Sequence, residues 1–321
     1  MAEKSDLHKA AVTAVRDFMG CSSDETLLVI SDENKRNIGL ALHEAGKNIC
    51  SESYYLEMKS RRVNGEEPPE AVAYMMTRVD VVLCPTTYSL THTKAKQEAV
   101  KHGVRVGTMP GITEDTLIRC LSADYKQIID LSNKVAKRLE DCATIRVTTK
   151  LGTELFMAVR GRQVFVSTGV LRKIGESGNI PSGEVYLSPW EGRTEGKVVV
   201  DGSIAGIGLL SEPVVFNVKN GYAIKITGKN ESKLLSAMLA RVGHEARNIA
   251  EFGIGTNYKA QITGDILEDE KALGTIHIAL GNNASMGGKV SVPIHIDCII
   301  KNPNVYADEE LIMEDGKLLF V

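Results

Sequence analysis

No run of about 18 apolar residues occurs anywhere in the 321-residue sequence, so no segment reads as a transmembrane helix. The first stretch, MAEKSDLHKAAVTAVRDFM, carries charges throughout and has no apolar core of signal-peptide length. The expected location is cytoplasmic. Nor is there a surplus of one sign of charge: the formal net charge is −3, with Lys, Arg, Asp and Glu mixed along the chain. That excludes the basic footprint of a nucleic-acid binder, and neither nucleic acid nor membrane is expected as a partner. The six cysteines, Cys21, Cys50, Cys84, Cys120, Cys142 and Cys298, include no C-x-x-C pair. A zinc knuckle or redox motif is unsupported, and reduced, buried thiols are expected. No internal repeat is evident, and no G-x-G-x-x-G follows any candidate strand, which leaves a dinucleotide site without support.

Hydrophobic residues make up 43% of the chain and charged residues 25%, which is ordinary for a globular protein and predicts a sizeable core. The length favours two domains, placed at residues 1–140 and 141–321. In the first, residues 5–20 read as an amphipathic helix and Thr26 to Ile30 as a buried strand. The segment NKRNIGLALHEAGK reads as a helix stopped by Gly46. Val79 to Cys84 and Val104 to Gly107 follow as strands, separated by a helix ending at Gly103, and Glu114 to Leu139 is mostly helical. This alternation predicts an α/β fold with a small parallel sheet covered by helices. From about residue 143 the pattern becomes β-rich with frequent glycine, interrupted by one helix near Ser232 to Ile249. The second domain is therefore expected to be α+β.

Four segments of that second half carry ligand-type side chains. Glu184 emerges from the turn Asn179-Ile180-Pro181-Ser182-Gly183 at the start of an apolar strand; alternatively it is an exposed loop carboxylate. Glu251 is expected just past the helix, among small or apolar neighbours, or else turned to water at the helix end. His277 is centred in an apolar strand bounded by Gly274 and Gly281, so it is either a hydrogen-bonded core histidine or engaged by a metal. His295 and Asp297 are two residues apart, which in a strand puts both on one face, with Ile294, Ile296 and Cys298 on the other. A mutual hydrogen bond would satisfy that pair. A cation would also do so, keeping the carboxylate ionised and the imidazole neutral. Glu268-Asp269-Glu270-Lys271 reads as a solvated turn, Met286-Gly287-Gly288 as a flexible loop, and His92 as a surface histidine at a helix start. Trp190 lines a substrate pocket or simply packs.

These segments resemble the thermophilic aminopeptidase T family of metallopeptidases. The similarity rests on PSGEVYLSP, AEFGIGTN, EDEKALGTIHIALG and PIHID, in the family's order, over roughly residues 145–321. It implies a pair of divalent ions (zinc, cobalt or manganese) held by Glu184, Glu251, His277, His295 and Asp297, with Glu184 and Glu251 also the catalytic carboxylates. A metal-activated water would attack the N-terminal peptide bond of a short peptide. One position departs: where peptidases carry a tyrosine, seven residues after the first histidine, this chain has Ala284, which removes a candidate donor to the tetrahedral intermediate. The chain is also similar to 2,5-dihydroxypyridine 5,6-dioxygenase. That resemblance implies one ferrous ion on His277, His295 and Asp297, a small aromatic substrate and dioxygen. A metal-stabilised binding protein without turnover is the third possibility. Both resemblances imply a homo-oligomer.

Overall fold

The structure, a computed structural model, describes residues 2–320, with side chains from Asp6 onward. Two compact units interleave in sequence: Met1–Tyr125 with Ser167–Ser182, and Lys126–Val166 with Gly183–Val321.

The first unit holds a five-stranded parallel sheet in the order Glu52–Met58, Thr26–Asp32, Val81–Thr86, Arg105–Pro110, Ser177–Asn179. Its inner strands are buried almost end to end, as expected of parallel strands covered on both faces. Helix Arg36–Ile49 buries Ile38, Leu42 and Ala45 and runs through Gly46, which the sequence suggested as a stop. A Cβ at Gly46 would lie 2.5 Å from Ser53 Oγ and 2.6 Å from Leu27 Cδ2. Glycine is there to let helix and sheet approach, and helix ends at Ile49. The edge strand Glu52–Met58 was not anticipated because its exposed positions carry Glu and Tyr. The first helix spans Ala2–Val12 and continues as a π-helical turn, Thr13–Phe18. The helical stretch beginning at Glu114 divides into Glu114–Leu121, in this unit, and Tyr125–Leu139, which belongs to the second unit from Lys126 onward.

The second unit is built on two large antiparallel sheets. One has eight strands, including the hairpin Thr144–Thr148 and Glu154–Ala158 together with Thr194–Val200 and Val214–Lys219. In the other, His295–Lys301, Thr275–Gly281, Ile249–Gly255 and Glu184–Leu187 lie side by side in that order. The sheets share one core, to which the first contributes Ile145, Val147, Leu155 and Phe216 and the second Phe252, Ile254, Ile276, Ile278, Ile296 and Cys298. Burying these alternate positions commits the intervening ones to the opposite face of the second sheet. The helix expected near Ser232 to Ile249 is shorter, Asn230–Ala240. Gly243, at φ 111°, turns the chain into a short 3₁₀ segment, His244–Arg247. Residues 249–255 are then strand, so Glu251 sits inside a strand and not past a helix.

None of the six cysteines forms a disulfide among the described residues. Among the described residues no helix is long and apolar enough to cross a membrane.

Candidate metal centre

Strand register brings the candidate residues together. Glu251 lies opposite Ala279, which lies opposite Asp297, so two carboxylates flank a methyl-sized residue across three strands. Gly253 lies opposite His277, Gly281 opposite His295, and Gly255 opposite Glu184. The partners of the long polar side chains are thus glycine or alanine, and the space above them is left to the functional groups. The imidazole of His277 lies directly over residue 253, where a Cβ would come within 2.0 Å of its Nε2.

All five predicted residues meet on this face. Glu251 is the hub: its Oε1 is 3.2 Å from His277 Nε2 and its Oε2 is 3.2 Å from His295 Nε2. Asp297 Oδ1 is 3.3 Å from the same His295 nitrogen, and Glu184 Oε2 is 3.7 Å from His277 Nε2. Glu251, His295 and Asp297 each offer a ligand atom within 4.8 Å of the others. His277 and Glu184 approach from the far side of Glu251. Glu184, Glu251 and His277 are buried, Asp297 is half-buried, and the His295 side chain is 31% exposed. The cluster is therefore open on the His295 side.

The hydrogen-bond chemistry of the two histidines differs. His295 Nδ1 is 2.8 Å from the carbonyl oxygen of Asn282. A carbonyl only accepts, so the proton resides on Nδ1, and the neutral ring turns the Nε2 lone pair toward Glu251 and Asp297. Acceptors facing acceptors need a cation or an extra proton between them. Support of one ring nitrogen by a backbone carbonyl is also the usual arrangement of a metal-bound imidazole. His277, wholly buried, has no hydrogen-bond partner for Nδ1 among the described residues. It is the less supported of the two rings.

The ionisation of the cluster shows the same shortage of positive charge. Burial opposes a charged His277, but the Glu251, Glu184 and Asp297 carboxylates outweigh it and push the imidazole up to about 9. His295 is likewise raised well above its ordinary value, against burial, by Asp297 and Glu251. Burial also opposes charge on Glu251 and Asp297, yet the imidazoles hold both carboxyls below the usual range. Protons on the rings balance the carboxylates here. A divalent ion performs the same balancing with neutral rings and ionised carboxylates, so the donor set fits one.

Glu270 and Lys271, placed by sequence in a solvated turn, belong to this site instead. Lys271 is 1% exposed, and its Nζ donates to Glu184 Oε1 at 2.7 Å and to Glu270 Oε1. Burial pushes the Glu270 carboxyl up to about 8 against the pull of Lys271, with Glu184 and Asp297 adding to the rise. The neighbouring charges are also buried: Asp269 accepts from Ser203 Oγ and from the backbone N–H groups of Thr263 and Gly264, and Glu268 from that of Gln261. A run of four charges reads as solvated because their partners lie elsewhere in the chain. Trp190 donates from Nε1 to the Arg160 carbonyl at 2.9 Å and carries the Arg162 guanidinium 4.0 Å above its ring. The expected flexible loop is anchored: Met286 is buried and the Gly287 carbonyl accepts from Arg162 Nη1 at 2.8 Å.

Comparison with known proteins points to an enzyme family. The sequence profile of the 2,5-dihydroxypyridine 5,6-dioxygenase family matches residues 17–320. The 2,5-dihydroxypyridine 5,6-dioxygenase of Pseudomonas putida is 22% identical over 249 residues, covering 73% of this chain and 69% of that protein. A solved structure of 2,5-dihydroxypyridine dioxygenase from Pseudomonas putida superposes with a TM-score of 0.84 at 19% identity, covering 99% of this chain and 98% of the other. Wild-type AmpT from Thermus thermophilus superposes with a TM-score of 0.73 at 16% identity, covering 98% and 99%. At these identities the two superpositions speak for the fold alone. The sequence matches put the dioxygenase resemblance ahead of the aminopeptidase one, which reverses the order in which the motifs alone ranked them.

Proposed function

This chain belongs to the 2,5-dihydroxypyridine 5,6-dioxygenase family, and from that premise we propose that it is a mononuclear, iron-dependent dioxygenase acting on a small, chelating dihydroxy-aromatic ring. The observation that carries the reading is the Nε2 of His295, left as the ring's free nitrogen by the Asn282 carbonyl on Nδ1 and facing the oxygens of Glu251 and Asp297. Glu251, His295 and Asp297 would hold the ion, with His277 as a further donor on the other side of Glu251. A bound ferrous ion would supply the dioxygen chemistry that opening an aromatic ring requires. The chain's own groups do the rest. Asn282 orients His295, Glu251 ties the two imidazoles together, and Lys271 neutralises Glu184 and Glu270 so that their charge does not accumulate beside the ion. The exposed side of His295 is where a small ring would approach. The apolar strands beneath keep water from the opposite face.

The test is oxygen consumption by protein reconstituted anaerobically with Fe(II), over a panel of dihydroxypyridines and catechol-like rings. Uptake is expected with at least one of them, dependent on Fe(II) and lost in Asp297→Ala. Silence across the panel would end this reading.

One observation favours a second reading, a dinuclear aminopeptidase-like hydrolase. Glu251 gives one oxygen to each imidazole, with Asp297 beside His295 and Glu184 Oε2 3.7 Å from His277, so a second ion there would share the Glu251 carboxylate with the first. Two ions per chain and cleavage of aminoacyl amides with zinc, cobalt or manganese would establish it. Against it stand Ala284 and the engagement of Glu184 Oε1 by Lys271.

A further inference from the structure

The carbonyl that directs His295 belongs to the peptide group joining Asn282 to Asn283, and the two residues it joins are held from several sides. Asn282 N–H donates to the Ile294 carbonyl at 2.8 Å and Asn283 N–H to the Val290 carbonyl at 3.1 Å. Asn283 is fully buried. Its Nδ2 donates to Ser188 Oγ and to Glu191 Oε1, both at 2.9 Å, and its Oδ1 accepts from Val290 N–H at 3.0 Å. Glu191 Oε1 accepts in addition from Lys289 N–H at 2.7 Å, while its Oε2 meets Arg162 Nη2 at 2.7 Å. Both side chains of that ion pair are largely buried, with exposures of 17% for Glu191 and 6% for Arg162. One carboxylate therefore grips residues 283 and 289, and through Arg162 the carbonyl of Gly287 as well. The loop between the His277 and His295 strands closes on Glu191.

We propose that Glu191 is a positioning residue for His295, acting through Asn283 to set the plane of the peptide whose carbonyl keeps the proton on His295 Nδ1. Glu191 touches neither imidazole nor any candidate ligand oxygen. Its effect is to keep the Asn282 carbonyl aimed at the ring, so that Nε2 alone is presented to a metal. The inference rests on the metal-centre reading above and adds to it a residue outside the ligand set. It also makes residues 282–290 a fixed template for the site in place of a gate.

The experiment compares wild type, Glu191→Ala, Glu191→Asp and Glu191→Gln by two readouts independent of turnover. Co(II) affinity, followed by visible absorption, is expected to fall about 10-fold or more in Glu191→Ala, the size usual for lost support of a metal-bound imidazole. In the metal-free protein, the downfield His295 Nδ1–H proton should exchange slowly in wild type and rapidly in the alanine variant. Glu191→Gln keeps an acceptor oxygen for Asn283 and Lys289 and should recover most of both signals. If Glu191→Ala does not fold, Glu191→Asp, which withdraws the carboxylate by one methylene, is held to the same expectations. A folded alanine or aspartate variant with wild-type Co(II) affinity and unchanged proton exchange overturns the proposal, whatever its melting temperature. Wild-type protein that takes up no Co(II) overturns the metal-centre reading instead, and the proton-exchange comparison then decides Glu191 by itself.

Discussion

In the first unit Asp32 is 1% exposed, and its carboxylate is filled by donors: the Thr87 N–H at 2.6 Å, the Thr87 hydroxyl at 2.9 Å and the Asn34 N–H at 3.1 Å. Arg105, also buried, gives its two terminal nitrogens to Glu25 at 2.7 and 2.8 Å and its Nε to the Met19 carbonyl at 3.1 Å. In the second unit Glu251 and Asp297 face His295 Nε2, where only an extra proton or a cation gives them a partner, and the buried His277 Nδ1 is unpaired among the described residues. Buried polar groups are tolerated when donor meets acceptor. The first unit obeys that rule at Asp32 and Arg105, whereas the second departs from it where Glu251, His295 and Asp297 meet and at His277 Nδ1. A set of groups that is completed only by something the chain lacks is a binding site; a set that completes itself is structure.

The sharpest test of that contrast removes one cation from each unit. Lys271→Met strands Glu184 and Glu270 in the interior, and breaking a buried pair in this way costs about 3–5 kcal/mol. Arg105→Met should cost less, about 2 kcal/mol, the range of a hydrogen bond to a charged group, because Glu25 is 21% exposed and can rehydrate. Urea unfolding of the metal-free proteins measures both. Mn(II) should restore part of the loss in Lys271→Met, where freed carboxylates await a cation, and none in Arg105→Met. Equal rescue of both variants, or of neither, would erase the distinction between the units.

A smaller effect comes from two glycines that allow close approach. Gly253→Ala drives a methyl group into the His277 ring, and Gly46→Ala drives one into Leu27 and Ser53. Overpacking of this kind costs about 1–3 kcal/mol, so similar losses of stability are expected. Only Gly253→Ala should also weaken Co(II) binding, since only there does the displaced group belong to the cluster. Calorimetry beside Co(II) titration separates the two outcomes.

How much of this was visible beforehand follows from how local each signal is. The period of two in Ile294-His295-Ile296-Asp297-Cys298 depends on strand geometry alone, and His295 and Asp297 do share a face. The glycines bracketing His277 marked its strand for the same reason. Lys271 escaped because the burial of a charged run is decided by partners far off in sequence: Glu184, its acceptor, is 87 residues away. Glu251 was assigned to a helix end because Gly243, whose positive φ breaks the helix early, looks like any loop glycine in one dimension. Glu191 gave no sign at all, since an isolated carboxylate in a Pro-Trp-Glu-Gly turn is ordinary. Its role depends on the fold bringing Asn283 and Lys289 to it.

The smallest expected effect concerns acid stability in the first unit. Hydrogen bonding to the Arg105 guanidinium, against some opposition from burial, holds the Glu25 carboxyl below its ordinary range. A group whose folded value is depressed contributes stability that is present above its unfolded value, about 4.3, and is lost as pH falls through the lower folded value. Glu25→Gln removes that contribution at every pH. The stability gap between wild type and this variant should therefore be constant from pH 7 to 5 and close steadily as the pH is lowered toward 3, as read from urea midpoints. A gap that persists unchanged to pH 3 would mean that Glu25 holds Arg105 through shape and neutral hydrogen bonding alone. Charge matching would then not be what distinguishes the first unit from the second.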